Sequence, residues 1–282
     1  MSGSGPSPGC RIVGVVNLTA DSFSDGGRYL EPRRAIEHAL ELAAAGADLI
    51  ELGAASSHPD AAPVEPGEEI RRLAPVIEAL RAQGLELAVD AWKPETQREC
   101  LGRGVQMLND IQGFADPGFH RELARSDCTL VVMHSIQGRG PATRAEASAD
   151  AVVEGVYAFF RSRIAELQAA GVCRERIVLD PGMGYFVGSD PEPSLALLNE
   201  IPRLKRTFGL PVLVCVSRKS FLGALTGRAV EERGAATLSA ELSAATLGCD
   251  YIRTHDVAAL RDALTVRAAL AGSRRPAELR RD

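Results

Sequence analysis

Ile12-Val13-Gly14-Val15-Val16-Asn17 is a short, continuously apolar run that closes on a side-chain amide. Such a run lacks the alternation of a half-exposed antiparallel strand and suits a sheet covered on both faces. Working outward, comparable runs recur at residues 48–52, 85–89, 105–108, 129–133, 177–179, 212–216 and 251–252, giving eight predicted strands. Between them lie segments with helical spacing at 32–45, 68–81, 151–170, 195–207 and 235–247. Gly46, Gly84, Gly171 and Gly209 fall just past the first four of these, where a left-handed C-cap favours glycine. Strand and helix alternating eight times predict an α/β fold, a (β/α)8 barrel in a single domain over residues 11–270. A doubly wound open sheet is the alternative that the same pattern admits.

Composition narrows the function. The chain has 282 residues and is 45% hydrophobic, enough for one large core. A net charge of −5 gives no reason to expect nucleic acid as a partner, so any anionic substrate needs a local basic cluster. With 5% aromatic residues, a stacking platform for single strands is not expected either. The cysteines at 10, 100, 128, 173, 215 and 249 have neither zinc-ligand nor redox-pair spacing, and Cys128, Cys215 and Cys249 read as small core residues. There is no membrane-length apolar stretch and no signal pattern, so a cytoplasmic, reduced protein without membrane association is expected. Residues 1–10 read as a flexible lead and 271–282 as a charged tail.

In a barrel the loops after the strands converge on one mouth, so the residues closing each strand matter most. Strand one closes on Asn17, strand two on Glu51 and then Ser56-Ser57-His58-Pro59-Asp60, and strand three on Asp90. Asn109-Asp110 and Met133-His134 close strands four and five. Asp180-Pro181-Gly182-Met183-Gly184 follows strand six, Ser217-Arg218-Lys219-Ser220 strand seven, and Arg253-Thr254-His255-Asp256 strand eight. Any single Asp or Asn in such a place is most often a helix cap. Eight polar strand ends together point to a site. Asp90, Asn109 and Asp180 suit a flat ligand edge rich in N–H donors, and Lys219, Arg253 and His255 form the local basic cluster. Arg253 or His255 suits phosphate, and an Arg also stacks on planar rings. Asn17 with neighbouring hydroxyls offers hard oxygens to Mg²⁺, and residues 217–220 begin a helix whose free N–H groups favour an anion. The implied cargo is a flat nitrogen heterocycle, a diphosphate and a second small anion.

The ordered set Gly14-Val15-Val16-Asn17-Leu18-Thr19 through Asp21-Ser22-Phe23-Ser24-Asp25-Gly26-Gly27, Leu108-Asn109-Asp110-Ile111, Leu179-Asp180-Pro181-Gly182, Ser217-Arg218-Lys219-Ser220 and Arg253-Thr254-His255-Asp256 resembles dihydropteroate synthase over residues 11–270. The resemblance implies a transferase of folate biosynthesis that joins 6-hydroxymethyl-7,8-dihydropterin diphosphate to 4-aminobenzoate, releasing diphosphate. It places Asp90, Asn109 and Asp180 on the pterin ring, with Lys219 between the pterin and the aminobenzoate pocket and Arg253 stacked on the pterin. His255 and Arg253 fall on the phosphates and Asn17 on Mg²⁺. Ser57, Pro59 and Ser220 border the aminobenzoate end, and Met133, Tyr185 and Phe186 complete the substrate-lining set. Asp90, Lys219, Arg253 and His255 are the expected catalytic groups, in a dissociative reaction where diphosphate leaves before the amine attacks. A homodimer through outer helices, with 235–247 as a seam, is also implied.

Three positions depart from the family pattern. Glu51 replaces the usual Asp, the loop 56–60 differs from Ser-Thr-Arg-Pro-Gly, and Tyr185-Phe186 brings an extra aromatic where a lysine is usual. These loop features resemble the sulfonamide-resistant branch of the family, and insensitivity to sulfonamides is expected. The competing readings are a methyltetrahydrofolate-dependent methyltransferase domain and a catalytically silent pterin-binding relative.

Overall fold

The computed structural model describes residues 9–19 and 32–273. The stretch 20–27 of the first motif, the lead before residue 9 and the tail beyond 273 lie outside the described residues. Eight parallel strands alternate with helices in the order β1 (Arg11–Asn17), α1 (Pro32–Ala44), β2 (Leu49–Gly53), α2 (Pro66–Ala82), β3 (Leu87–Asp90), α3 (Pro94–Gly102), β4 (Met107–Asp110), α4 (His120–Arg125). There follow β5 (Thr129–Met133), α5 (Ala149–Ala169), β6 (Ile177–Asp180), α6 (Pro191–Phe208), β7 (Leu213–Val214), α7 (Ser220–Thr226), α8 (Gly234–Thr246), β8 (Tyr251–Thr254) and α9 (Val257–Ser273). The hydrogen-bonded order is β6-β5-β4-β3-β2-β1-β8-β7. A bridge between Leu179 and Val212 closes the ring, the Leu179 N–H reaching the Pro211 carbonyl at 2.9 Å. The structure is the single-domain (β/α)8 barrel, not the open sheet.

Local chemistry explains the boundaries. Pro32, Pro66, Pro94 and Pro191 open their helices, where the missing N–H costs nothing. Gly46, Gly84, Gly171 and Gly209 take the expected positive φ after helix ends. Helices α5 and α6 bury Val152, Val156, Phe160, Ile164 and Leu197, Ile201, Leu204, Phe208 on single stripes against the barrel. Helix α7 starts at Ser220, where residues 217–220 predicted a helix, whereas α3, α4 and α9 were not foreseen. Helices α3 and α4 are short and α9 is apolar without a clear stripe, so none shows a strong period. Helix α9 also runs three residues past the predicted boundary at 270.

Period-two alternation gives every strand an inner and an outer face. One inward layer is Val13, Leu49, Ala88, Met107, Val131, Val178 and Leu213, with Tyr251 packed against it, one residue from each strand. This apolar plug floors the barrel. Two residues further along each strand stand Val15, Glu51, Asp90, Asn109, Met133, Asp180, Cys215 and Arg253, mostly polar. Six strands run one or two residues further than their apolar content predicts, carrying Asn17, Asp90, Asn109, Asp180 and Arg253 inside the ladder instead of in loops, whereas β5 ends as predicted and β7 is shorter.

Candidate active site

Alternation sorts the polar strand ends. Asn109 faces inward, while its neighbour Asp110 faces α3, where Gln97 Nε2 donates to it at 2.8 Å. His134 packs edge-on against Phe159 of α5, with ring centroids 5.4 Å apart. The outward Thr254 lies beside the buried Glu241 of α8. These three groups, expected at the mouth with the rest, buttress the surrounding helices. Asp256 is a helix cap, accepting the Ala259 N–H at 3.1 Å.

The inward groups form one network around Arg253, whose side chain is 14% exposed. Its Nε donates to Glu51, its Nη2 to Asp90 Oδ2 at 3.2 Å and its Nη1 to Cys215 Sγ at 3.4 Å. With those three edge N–H groups occupied, the flat face of the guanidinium is its natural contribution to a ring ligand. Asn109 Nδ2 donates to the second oxygen of Glu51 at 3.1 Å. Asp180 Oδ1 accepts the Gly182 N–H at 2.8 Å, tightening the turn after β6. Gly182 has φ +78, and a Cβ there would lie 2.4 Å from the His134 carbonyl oxygen, so only glycine fits.

Three buried oxygens at this end have no hydrogen-bond partner: Asp90 Oδ1, Asn109 Oδ1 and Ser220 Oγ. A buried unpaired acceptor costs on the order of 1–3 kcal/mol. Such a group persists where a ligand supplies its partner. Burial pushes the Asp90 carboxyl up to about 7 against the opposing pull of Arg253, and Glu51 adds to the rise. Burial likewise raises Asp180 to about 6, opposed by the Gly182 N–H and by Lys219. The Arg253 guanidinium is held well above its ordinary value: burial alone would lower it, and Glu51 and Asp90 outweigh that effect.

His255 corrects the expectation of three cations. Burial and the nearby Arg253 push it down to about 3, so the ring is neutral near pH 7. Ser217 Oγ accepts the His255 N–H at 3.3 Å and sits 2.9 Å from Nδ1. In the tautomer where the Ser217 hydroxyl donates to Nδ1, the ring proton sits on Nε2. The basic cluster is Lys219 and Arg253.

The loops fix the second half of the site. Arg233 Nη1 donates to the carbonyls of Arg218 and Lys219 at 3.0 and 3.3 Å, and Thr237 Oγ1 accepts the Arg218 N–H at 3.1 Å. The Lys219 ammonium lies 5.2 Å from the centre of the buried Phe186 ring. A Cβ on Gly184 would approach Ser220 Oγ to 3.1 Å, so the turn after β6 and the start of α7 are in close contact. Tyr185 faces the other way, with the His58 ring 5.9 Å and the Arg144 guanidinium 5.6 Å from its ring centre. The Ser57 carbonyl accepts the Ala142 N–H at 3.0 Å, tying the loop that carries Ser57 and Pro59 to the β5–α5 loop. Met133 closes the inward side of β5, and Asn17 ends β1 beside Gly53.

Residues 13–255 match the family of pterin binding enzymes. The chain belongs to that family. It is 56% identical over 259 residues to the type-2 dihydropteroate synthase of Escherichia coli, covering 92% of this chain and 95% of that protein. It is 53% identical over 260 residues to the type-3 enzyme of the same organism, covering 92% and 99%. A solved dihydropteroate synthase of Xanthomonas albilineans with 4-aminobenzoic acid superposes with a TM-score of 0.85 at 42% identity, covering 93% of each chain. The activity is that of a dihydropteroate synthase, a transferase, as the ordered motifs predict.

The residues that sequence reasoning did not place among the site groups are Cys215 and Arg233, while Glu51 and Ser217 were read only as polar strand ends. The sequence marks Glu51 only as a carboxylate one methylene longer than the family Asp. In the structure it is fully buried and bonded to Arg253 and Asn109. Counting two residues on from Leu49 and Leu213 would have put Glu51 and Cys215 in the inward ring. Among the described residues no helix is long and apolar enough to cross a membrane.

Proposed function

We propose that the inward polar ring binds the pterin and that the Lys219, Ser220 and Phe186 side binds 4-aminobenzoate. The observation carrying this reading is the set of unpartnered buried oxygens on Asp90, Asn109 and Ser220. The first two accept from ring N–H groups, with Asp180 beside them. The Ser220 hydroxyl and the Lys219 ammonium meet the carboxylate end of the second substrate. In the reaction the bond from the pterin methylene carbon to the diphosphate oxygen breaks. The aminobenzoate nitrogen then bonds to that carbon and loses a proton. Asp90, as a carboxylate, stabilises positive charge developing on the ring, while Arg253 and the Nε2–H of His255 meet the departing phosphates.

Mg²⁺ fits as an ion carried on the diphosphate. Asn17 offers one hard amide oxygen at the mouth, and among the described residues no three His, Cys, Asp or Glu side chains form a cage. Bound so, the ion would supply charge neutralisation on the leaving group. Incubating the protein with pterin diphosphate, 4-aminobenzoate and Mg²⁺ and measuring diphosphate release tests the assignment. Diphosphate release with no dihydropteroate formed when 4-aminobenzoate is present would overturn it.

Sulfonamide insensitivity is supported by the place of Phe186, whose buried ring centre lies 5.2 Å from the Lys219 ammonium on the side assigned to aminobenzoate. A bulky sulfonyl substituent needs more room there than a planar carboxylate does. A homodimer is supported by apolar side chains left on the outer surface around α7 to α9, including Leu225 and Val266, 52% and 59% exposed. Sedimentation of the purified protein reads its mass directly.

A further inference from the structure

Glu51 has no exposed surface, and both its oxygens are taken, one by Arg253 Nε and the other by Asn109 Nδ2 at 3.1 Å. An ionised carboxylate only accepts hydrogen bonds. The Asn109 amide must therefore turn its NH₂ down toward Glu51, which leaves Oδ1 facing away and, in this structure, unpartnered. Arg253, tethered through Nε, reaches only Oδ2 of Asp90 and leaves Oδ1 unpartnered as well. Asp90 and Asn109 are direct partners in the β3–β4 register, so the two free acceptors belong to neighbouring positions.

We propose that Glu51 is a positioning residue that sets the hydrogen-bonding polarity of the pterin edge, forcing Asn109 to present an acceptor and holding Arg253 so that Asp90 keeps one oxygen free. The proposal rests on Asp90 and Asn109 being pterin ligands. Glu51 itself touches no substrate. The charged groups near Asp90 are Arg253, Glu51 and Lys219, with Asp110 behind them on the outward face, and burial with the Glu51 charge raises its pKa. Neutralising Glu51 removes that like charge and leaves Asp90 as the carboxylate still paired with Arg253. Both changes favour ionised Asp90.

The test uses dihydropteroate binding by calorimetry together with steady-state kinetics. Glu51→Gln should weaken dihydropteroate binding and raise the KM for pterin diphosphate by about 10–100-fold, with the KM for 4-aminobenzoate within about twofold. The acid limb of kcat/KM should move to lower pH. Asn109→Asp alone should be as damaging, because it sets two carboxylates against each other. Glu51→Gln combined with Asn109→Asp should recover binding, since the Gln amide donates to the new carboxylate and the outward group is again an acceptor. If Glu51→Gln does not fold, Glu51→Asp decides, because it keeps an acceptor-only group and should bind dihydropteroate within about tenfold of the parent. A double variant no better than the worse single one overturns the proposal, as does pterin affinity unaffected by Glu51→Gln. Normal affinity in both Asp90→Asn and Asn109→Ala would instead overturn the ligand assignment on which it rests.

Discussion

The floor and the mouth of this barrel lie two residues apart on the same eight strands. At the floor, Val13, Leu49, Ala88, Met107, Val131, Val178 and Leu213 meet in a dry layer. At the mouth, Glu51, Asp90, Asn109 and Arg253 share one charged network with unpaired oxygens left over. The floor stabilises by apolar burial, each fully buried Val or Leu contributing about 1.5–3 kcal/mol. The mouth carries the opposite sign. Its buried carboxyls are raised above their ordinary values because no protein donor fully compensates their lost hydration. One strand thus does both tasks, and substitutions two residues apart should separate folding from catalysis.

The largest expected effect is at the mouth. Asp90→Asn and Asp180→Asn should abolish measurable turnover while leaving the fold intact, checked by diphosphate release and circular dichroism. Activity within a few-fold of the parent would remove either residue from the site. Asp180 also predicts a stability gain. Its folded value near 6 lies above the ordinary 3.8, so stability present below about pH 4 is lost as pH rises through 6. Asp180→Asn cannot ionise, and its melting temperature should rise relative to the parent between pH 4 and 7.

Leu49→Ala, at the floor directly below Glu51, should do the reverse. It should cost about 2–5 kcal/mol of unfolding free energy with kcat per folded molecule unchanged, as read by denaturant titration and active-site-normalised rates. A large fall in kcat without loss of stability would erase the distinction between the two layers. Lys219→Ala should lower kcat/KM by about 10–150-fold, the loss of one charged hydrogen bond of about 1.5–3 kcal/mol. The smallest and most selective change is Phe186→Gly. It should raise sulfonamide affinity up to about a hundredfold, near 2.8 kcal/mol, with little change in the KM for 4-aminobenzoate. Because Phe186 is buried, the variant should also melt earlier. A parent enzyme already inhibited as strongly as this variant would sink the resistance reading and leave the synthase assignment standing.

Much of the site was legible in the chain. Asn17, Asp90, Asn109, Asp180 and Arg253 each follow an apolar run, and strand ends of a barrel converge on one mouth. The runs could not say which of two adjacent polar residues faces in. Asn109 enters the network whereas Asp110 bonds to Gln97 outside it, because the phase of the alternation is fixed by packing on the plug. Phe186 was named as a pocket residue on loop similarity. Its contact with Lys219 joins two loops more than thirty positions apart.

The sequence by itself determined the alternation of strand and helix, the helix starts at proline and ends at glycine, and the identities of the polar strand ends. These are local properties, set by apolar period and by backbone preferences of single residues. Tertiary structure alone decided three further matters. It brought the thiols of Cys10 and Cys249, 239 residues apart, to 3.6 Å beneath the floor, where sequence spacing had shown no pair. It made His255 neutral by burying the ring beside Arg253. It made Glu51, which the chain shows only as a departure from the family Asp, the anchor of Arg253 and Asn109. Each depends on barrel closure, because the energy of a buried polar group is set by neighbours from other strands, which the order of residues along one strand does not specify.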